Sequence, residues 1–134
     1  MWVDQTVYSG PPAEERDPNE MAVYAFLDGL GIPYTRCDHE YANTMEDCKA
    51  VEAVLGAPIC KNLLLTNRKQ TEFYLLLLPG DKPFKTKDVT AQLGCARLSF
   101  ATPEHMKELL GAAPGSASAF ELMHDKEGKV QLVM

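Results

Sequence analysis

The chain has no long apolar run. The longest centres on Leu75-Leu76-Leu77-Leu78, far short of the roughly 20 residues that a membrane-spanning helix needs. The opening Met1-Trp2-Val3-Asp4-Gln5 carries neither a basic region nor an apolar stretch. A secretory signal is therefore not expected, and the expected address is the cytoplasm, with no membrane partner. Cysteine is scarce: Cys37, Cys48, Cys60 and Cys95 form no C-x-x-C pair, and no histidine stands at zinc-finger spacing from any of them. The three histidines, His39, His105 and His124, make no local nucleophile signature with these cysteines. We expect small core or half-buried thiols, no disulfide framework, and neither metal nor cofactor. Positive charge is also short, with 13 Lys/Arg against 19 Asp/Glu and a net charge of −6, which excludes a protein that coats nucleic acid indiscriminately.

What is present is the composition of one globular α/β domain. The chain has 134 residues, 46% of them hydrophobic and 24% charged, enough for a core without disulfide or metal staples. The charge is uneven: residues 1–60 hold 3 Lys/Arg and 11 Asp/Glu, residues 61–134 hold 10 and 8. Lys61, Arg68, Lys69, Lys82, Lys85 and Lys87 crowd one stretch, opposed there only by Glu72 and Asp81. That stretch reads either as a solvated face or as a local patch for phosphates.

Local signals set the order of elements. Residues 1–16 show no periodicity and read as an irregular lead-in, leaving 17–134 as the domain. Asp17-Pro18-Asn19-Glu20 starts a helix whose apolar positions are Met21, Tyr24, Leu27 and Leu30, with Gly31 as terminator. A short strand is expected at 34–37. Thr44, with Asp47 three residues on, opens a second helix that Gly56 closes. Two apolar runs, 59–66 and 71–78, flank Asn67-Arg68-Lys69-Gln70 and predict a β-hairpin. The leucine run in the second predicts a central strand covered on both faces. Thr86 is expected to cap a short helix ending at Gly94, a strand follows at 97–100, and Thr102-Pro103-Glu104 begins a helix stopped by Gly111. A last hairpin is expected to pair 120–124 with 129–133. The predicted fold is a single α/β domain with a mixed, mostly antiparallel β-sheet covered by helices.

Two features could carry chemistry. Lys61 enters a strand that is otherwise apolar, which is costly unless its ammonium reaches solvent or an anion. The loop Gly111-Ala112-Ala113-Pro114-Gly115-Ser116-Ala117-Ser118 could aim several backbone N–H groups into one space and cradle a carboxylate, a carbonyl oxygen or a phosphate; a bare turn is the alternative.

The ordered combination of Lys61-Asn62-Leu63-Leu64-Leu65, Phe73 through Gly80, a helix ending in glycine, Pro114 through Phe120, and Asp125-Lys126-Glu127-Gly128-Lys129-Val130 resembles the YbaK/aminoacyl-tRNA synthetase-associated family. These are free-standing prolyl-tRNA editing domains, and the likeness runs from about Met21 to Met134. The resemblance implies a trans-acting deacylase that hydrolyses the ester between a wrong amino acid and tRNA(Pro), in the branch that clears alanine; a related branch clears cysteine. It implies the acceptor end of mischarged tRNA(Pro) as partner, with prolyl-tRNA synthetase a further candidate. A proline-sized pocket cannot reject smaller amino acids by binding alone, so a second sieve has a physical rationale.

Carried over residue by residue, the resemblance makes Lys61 the catalytic strand lysine. Gly111, Pro114, Gly115 and Ser116 become the loop facing the aminoacyl group, Asn62 becomes a neighbour of the site, and His39 keeps part of a histidine-to-threonine pattern that ends at Thr44. Three departures accompany it. Ala117 and Ala119 stand where valine and proline are usual, the lead-in matches poorly, and family members commonly continue beyond the position of Met134 with an acidic segment and a histidine-proline…asparagine-threonine strand. If Met134 is the natural end, part of the pocket wall is absent; if the chain is part of a longer protein, the implied activity belongs to that protein. The rival readings are a non-catalytic module of the same fold that binds tRNA or a synthetase, and a binder of free amino acids.

Overall fold

The computed structural model describes residues 1–134 apart from Asn43 and Pro114. The chain divides into two compact units, Met1–Ile59 and Cys60–Met134.

In the first unit, strand β1 (Tyr8–Ser9) pairs antiparallel with β2 (Thr35–Arg36). The lead-in is thus irregular for most of its length but contributes one strand. Helix α1 (Pro18–Gly29) starts where predicted: the Asp17 carboxylate accepts from the N–H groups of Asn19 and Glu20. These donors have no partner inside the helix, so the cap satisfies them. Helix α2 (Met45–Leu55) opens with a full capping box, Thr44 Oγ1 accepting from the Asp47 N–H and Asp47 accepting from the Thr44 N–H. It ends at Gly56 with φ +70°, a left-handed conformation suited to glycine.

In the second unit, β3 (Cys60–Asn67) and β4 (Phe73–Pro79) form the predicted antiparallel hairpin, in register Leu64↔Leu75. Asn67 builds its turn: its Oδ1 accepts from the N–H groups of Thr71 (2.8 Å) and Glu72 (3.1 Å), while its Nδ2 donates to Thr71 Oγ1. After helix α3 (Thr86–Leu93), strand β5 (Leu98–Phe100) pairs antiparallel with β3. Helix α4 (Pro103–Leu110) follows, capped by Thr102 and ended by Gly111. The sheet order is β5-β3-β4-β6, with β6 (Val130–Val133) parallel to β4. The expected α/β class with a mixed, mostly antiparallel sheet is observed.

Two local expectations are corrected. Residues 120–124 are no strand: Ala119–His124 is a 3₁₀ helix, and β6 pairs with β4 instead. Ser118 stands at the N-cap without a side-chain cap bond, and its hydroxyl donates to the Glu121 carboxylate at 3.1 Å. The Asp125 carboxylate then accepts from the N–H groups of Lys129 (3.0 Å) and Val130 (2.7 Å), turning the chain toward the open edge of β4. At α3 the cap position is Lys85, without a side-chain cap bond, and not Thr86.

Alternation along the strands sorts the core by sheet face. On one face Leu64, Phe73, Leu75 and Val130 pack with Met106, Leu109 and Leu110 of α4 and with Ala112 and Ala117 beyond it. On the other, Leu65, Leu76 and Leu98 pack with Phe84 and with Val89 and Leu93 of α3. The expectation of a leucine strand covered on both sides holds for β4 and for β3.

Candidate functional site

Lys61 lies opposite Leu78 and is half-buried. Its Nζ donates to the Lys82 carbonyl at 2.9 Å, so the ammonium is held at the turn after β4 instead of trailing freely in water. An ammonium has three donors; with one on that carbonyl, the others can meet an ester oxygen or a phosphate. Alternation places Lys61 on the sheet face of Leu63 and Leu65, the α3 face. It places Asn62 on the opposite face with Leu64. The Asn62 amide turns back on its own strand, 3.4 Å from the Cys60 carbonyl and 3.7 Å from the Cys60 sulfur.

The small-residue loop stands on the other side. Ala112 and Ala117 are buried in the α4 cluster, so the lysine and the loop's anchors flank the sheet on opposite faces. Two of the loop's amides are committed to the loop itself. The Ser116 N–H donates to the Ala113 carbonyl at 3.0 Å, the Ser116 hydroxyl donates to the same oxygen at 2.8 Å, and the Ala113 N–H donates to Ser116 Oγ at 3.2 Å. Both amides are spent closing a turn. Gly111 (φ +67°) and Gly115 (φ +86°) take the left-handed conformations that such a turn requires. Pro114 lies outside the described residues.

His39 belongs to the first unit, where it forms an isolated bridge with Val3; its Nδ1 lies 2.7 Å from the Glu40 carbonyl and the residue is exposed. Thr44 is occupied as a helix cap. Burial pushes the Cys37 and Cys48 thiols up, away from the reactive thiolate. Among the described residues, no group of three or more His, Cys, Asp or Glu side chains is placed to hold a metal ion. No helix among them is long and apolar enough to cross a membrane.

Several features were not read from sequence. The basic stretch is not one patch: Arg68 and Lys69 sit at the hairpin turn, while Lys61 and Lys82 meet at the far end of the hairpin. Over the six or so residues between, the strand advances about 20 Å. The hairpin prediction already contained this separation. Phe100 is 59% exposed, with its ring 5.7 Å from that of Phe84; the run Lys82-Pro83-Phe84-Lys85 was a signal for it. Glu121, 6% exposed beside the Ser118 hydroxyl, is a buried carboxylate announced by the Ser-x-x-Glu spacing. Two grooves lie elsewhere. One of about 460 Å³ is lined by Ser9, Gly10, Asp28 and residues 32–35, the other, of about 250 Å³, by Glu108, Leu109, residues 124–127 and Lys129.

The sequence and fold have known counterparts. The family model described as the aminoacyl-tRNA editing domain matches residues 39–134. The prolyl-tRNA editing protein ProX of Acetoanaerobium sticklandii is 30% identical over 114 residues, covering 85% of this chain and 70% of that protein. The prolyl-tRNA synthetase associated domain-containing protein 1 of Danio rerio is 28% identical over 109 residues, covering 81% of this chain and 59% of the relative. The chain therefore spans roughly three-fifths to seven-tenths of the length of these curated relatives. Among solved structures, that of the hypothetical protein APE2540 superposes with a TM-score of 0.62 at 19% identity, covering 83% of this chain and 71% of that one. A protein proposed as a trans-editing enzyme for prolyl tRNA synthetase superposes with a TM-score of 0.56 at 24% identity, covering 77% and 65%. The fold is shared with both structures, and by the family match over residues 39–134 the chain belongs to the aminoacyl-tRNA editing domain family.

Proposed function

We propose that the chain is an aminoacyl-tRNA deacylase that hydrolyses mischarged tRNA(Pro) in trans, with alanine the amino acid removed and the acceptor end of the tRNA as its partner. The supporting observation is Lys61: the family's strand lysine falls on a half-buried side chain whose ammonium is already held, 2.9 Å from the Lys82 carbonyl. We place the editing domain at 17–134, with the working site on the α3 face around Lys61. The lysine neutralises charge developing on the ester oxygen or anchors the terminal phosphate, and water attacks the carbonyl carbon with help from the ribose 2′-hydroxyl. This route uses no covalent nucleophile and no cofactor. The cytoplasmic address and an association with prolyl-tRNA synthetase belong to the same proposal, the latter supported by the name of the Danio rerio relative.

Release of amino acid from alanyl-, cysteinyl- and prolyl-tRNA(Pro), measured side by side, tests it. Alanine is expected to be freed fastest. Lys61→Ala is expected to slow release by about 100-fold or more, the size of losing one preorganised group at an oxyanion. Equal rates for the two proteins would remove Lys61 from the mechanism, and cysteine freed fastest would change the substrate.

One observation favours a second reading. Because the Ala113 and Ser116 amides are consumed within their own turn, the loop offers less to a tetrahedral intermediate than an oxyanion hole would. A non-catalytic tRNA- or synthetase-binding module would bind tRNA with steep salt dependence and cleave none of the three esters.

A further inference from the structure

A single-stranded nucleotide is recognised by a ring to stack on and cations to hold its phosphates. The α3 face carries both. Phe100 is 59% exposed and Phe84 supports it from the side, with ring centroids 5.7 Å apart and planes 60° from one another. Phe84 is partly buried against Leu65, Leu76 and Leu98, so the exposed ring stands on a fixed base. Lys82 and Lys85 flank Phe84 in the chain and are exposed. The Lys82 carbonyl holds the Lys61 ammonium.

Register relates the aromatic pair to the lysine. Phe100 is directly opposite Leu65, so its side chain shares the face of Leu65, Leu63 and Lys61. Lys61 lies four residues along β3 from Leu65, about 13 Å away. A short run of unpaired nucleotides bridges that distance. Residues 81–88 hold Asp81 and Asp88 against Lys82, Lys85 and Lys87, and with the Lys61 ammonium held there the local balance is positive. A large ring left in water on a locally basic face fits a stacking partner with an anionic backbone better than an apolar one.

We propose that Phe100, supported by Phe84, is a stacking platform for an unpaired nucleotide at the 3′ end of the RNA, with Lys61, Lys82 and Lys85 on the phosphates that lead to and from it. This inference rests on the deacylase reading for the identity of the RNA and adds the part of it that is gripped. Arg68 and Lys69, at the other end of the hairpin, take no part.

The probe is a fluorescein-labelled RNA microhelix ending in an unpaired ACCA tail, compared with the same helix ending blunt. Binding is followed by anisotropy with the full chain. Wild type is expected to prefer the tailed helix. Phe100→Ala should weaken binding of the tailed helix about ten-fold or more and leave the blunt one unchanged. Phe100→Trp should keep the preference, with tryptophan emission quenched by the tailed helix beyond the quenching of the wild type.

Tailed binding unchanged in Phe100→Ala, equal loss on both helices, or a Trp variant that loses the preference would each overturn the platform. Deacylation measured in parallel separates the two proposals. Wild type that cleaves no ester but shows a Phe100-dependent tail preference refutes the deacylase and keeps the platform. Cleavage with unaltered KM in Phe100→Ala, and no change in tailed binding, does the reverse.

Discussion

The two units of this chain are held together by different physics. Residues 1–59 carry 3 Lys/Arg and 11 Asp/Glu, and among their described residues only Pro12 and Val51 are buried. Their organisation is polar. Arg16 makes a two-pronged contact with Asp38 at 2.9 and 3.1 Å, Arg36 reaches the same carboxylate at 2.9 Å and stacks over the Tyr8 ring, and Glu14 and Glu20 complete the partners of Arg16. Tyr24, stacked on Tyr34, donates to Glu20, and burial together with that carboxylate pushes its hydroxyl up to about 12. Residues 60–134 are organised by two apolar clusters, one on each face of the sheet. Apolar burial is indifferent to pH, whereas a network built on one carboxylate is not. The first unit should therefore respond to acid and single charges, the second to lost methyl groups.

The largest effect is expected in the second unit. Leu75 is fully buried, and Leu75→Ala should cost about 3–5 kcal/mol, read as a lower denaturant midpoint. A loss below about 1 kcal/mol would break the contrast. In the first unit, hydrogen bonds from Arg16 and then Arg36 hold the Asp38 carboxyl down at about 2, against the opposing effect of burial. Because folding lowers this pKa, the stabilisation is complete above the ordinary carboxylate range and lost as pH falls through about 2. With both partners part-exposed, the contribution is about 1–2 kcal/mol. Asp38→Asn should lose that amount at pH 7 and flatten the acid response. Amide exchange resolved by peptide should confine the change to residues 1–59; an equal change in β3 and β4 would count against separate origins. The smallest effect is at a cap: Asp17→Ala should cost about 1 kcal/mol, seen as faster exchange in the first turn of α1, while Leu64 and Leu75 stay protected.

Much of the fold was legible because its signals are local. Asp17, the Thr44/Asp47 pair, Thr102, and the glycines ending α2, α3 and α4 act within a few residues of themselves, and each works as its spacing implies. The hairpin was legible because its turn residues and both apolar runs are neighbours in the chain. The segment 120–124 misled because apolar residues before a turn fit a strand or a helix equally well; the Ser118/Glu121 spacing and the free edge of β4 decide between them. At the candidate site, Lys61 stood out as a charge in an apolar strand, and its half-buried place at the start of β3 agrees with that. The destination of its ammonium was not readable, since the Lys82 carbonyl is 21 residues away.

The sequence by itself determined where α1, α2 and α4 begin, where the hairpin turns and which residues alternate along β3, because these follow from backbone sterics and hydrogen bonds that reach no more than a few residues. Only the tertiary structure decided that Lys61 and the alanines anchoring the loop after α4 flank the sheet on opposite faces, and that Phe84 meets Phe100. Each depends on which strand edge pairs with which, and that choice is made by burying apolar area between segments far apart in the chain.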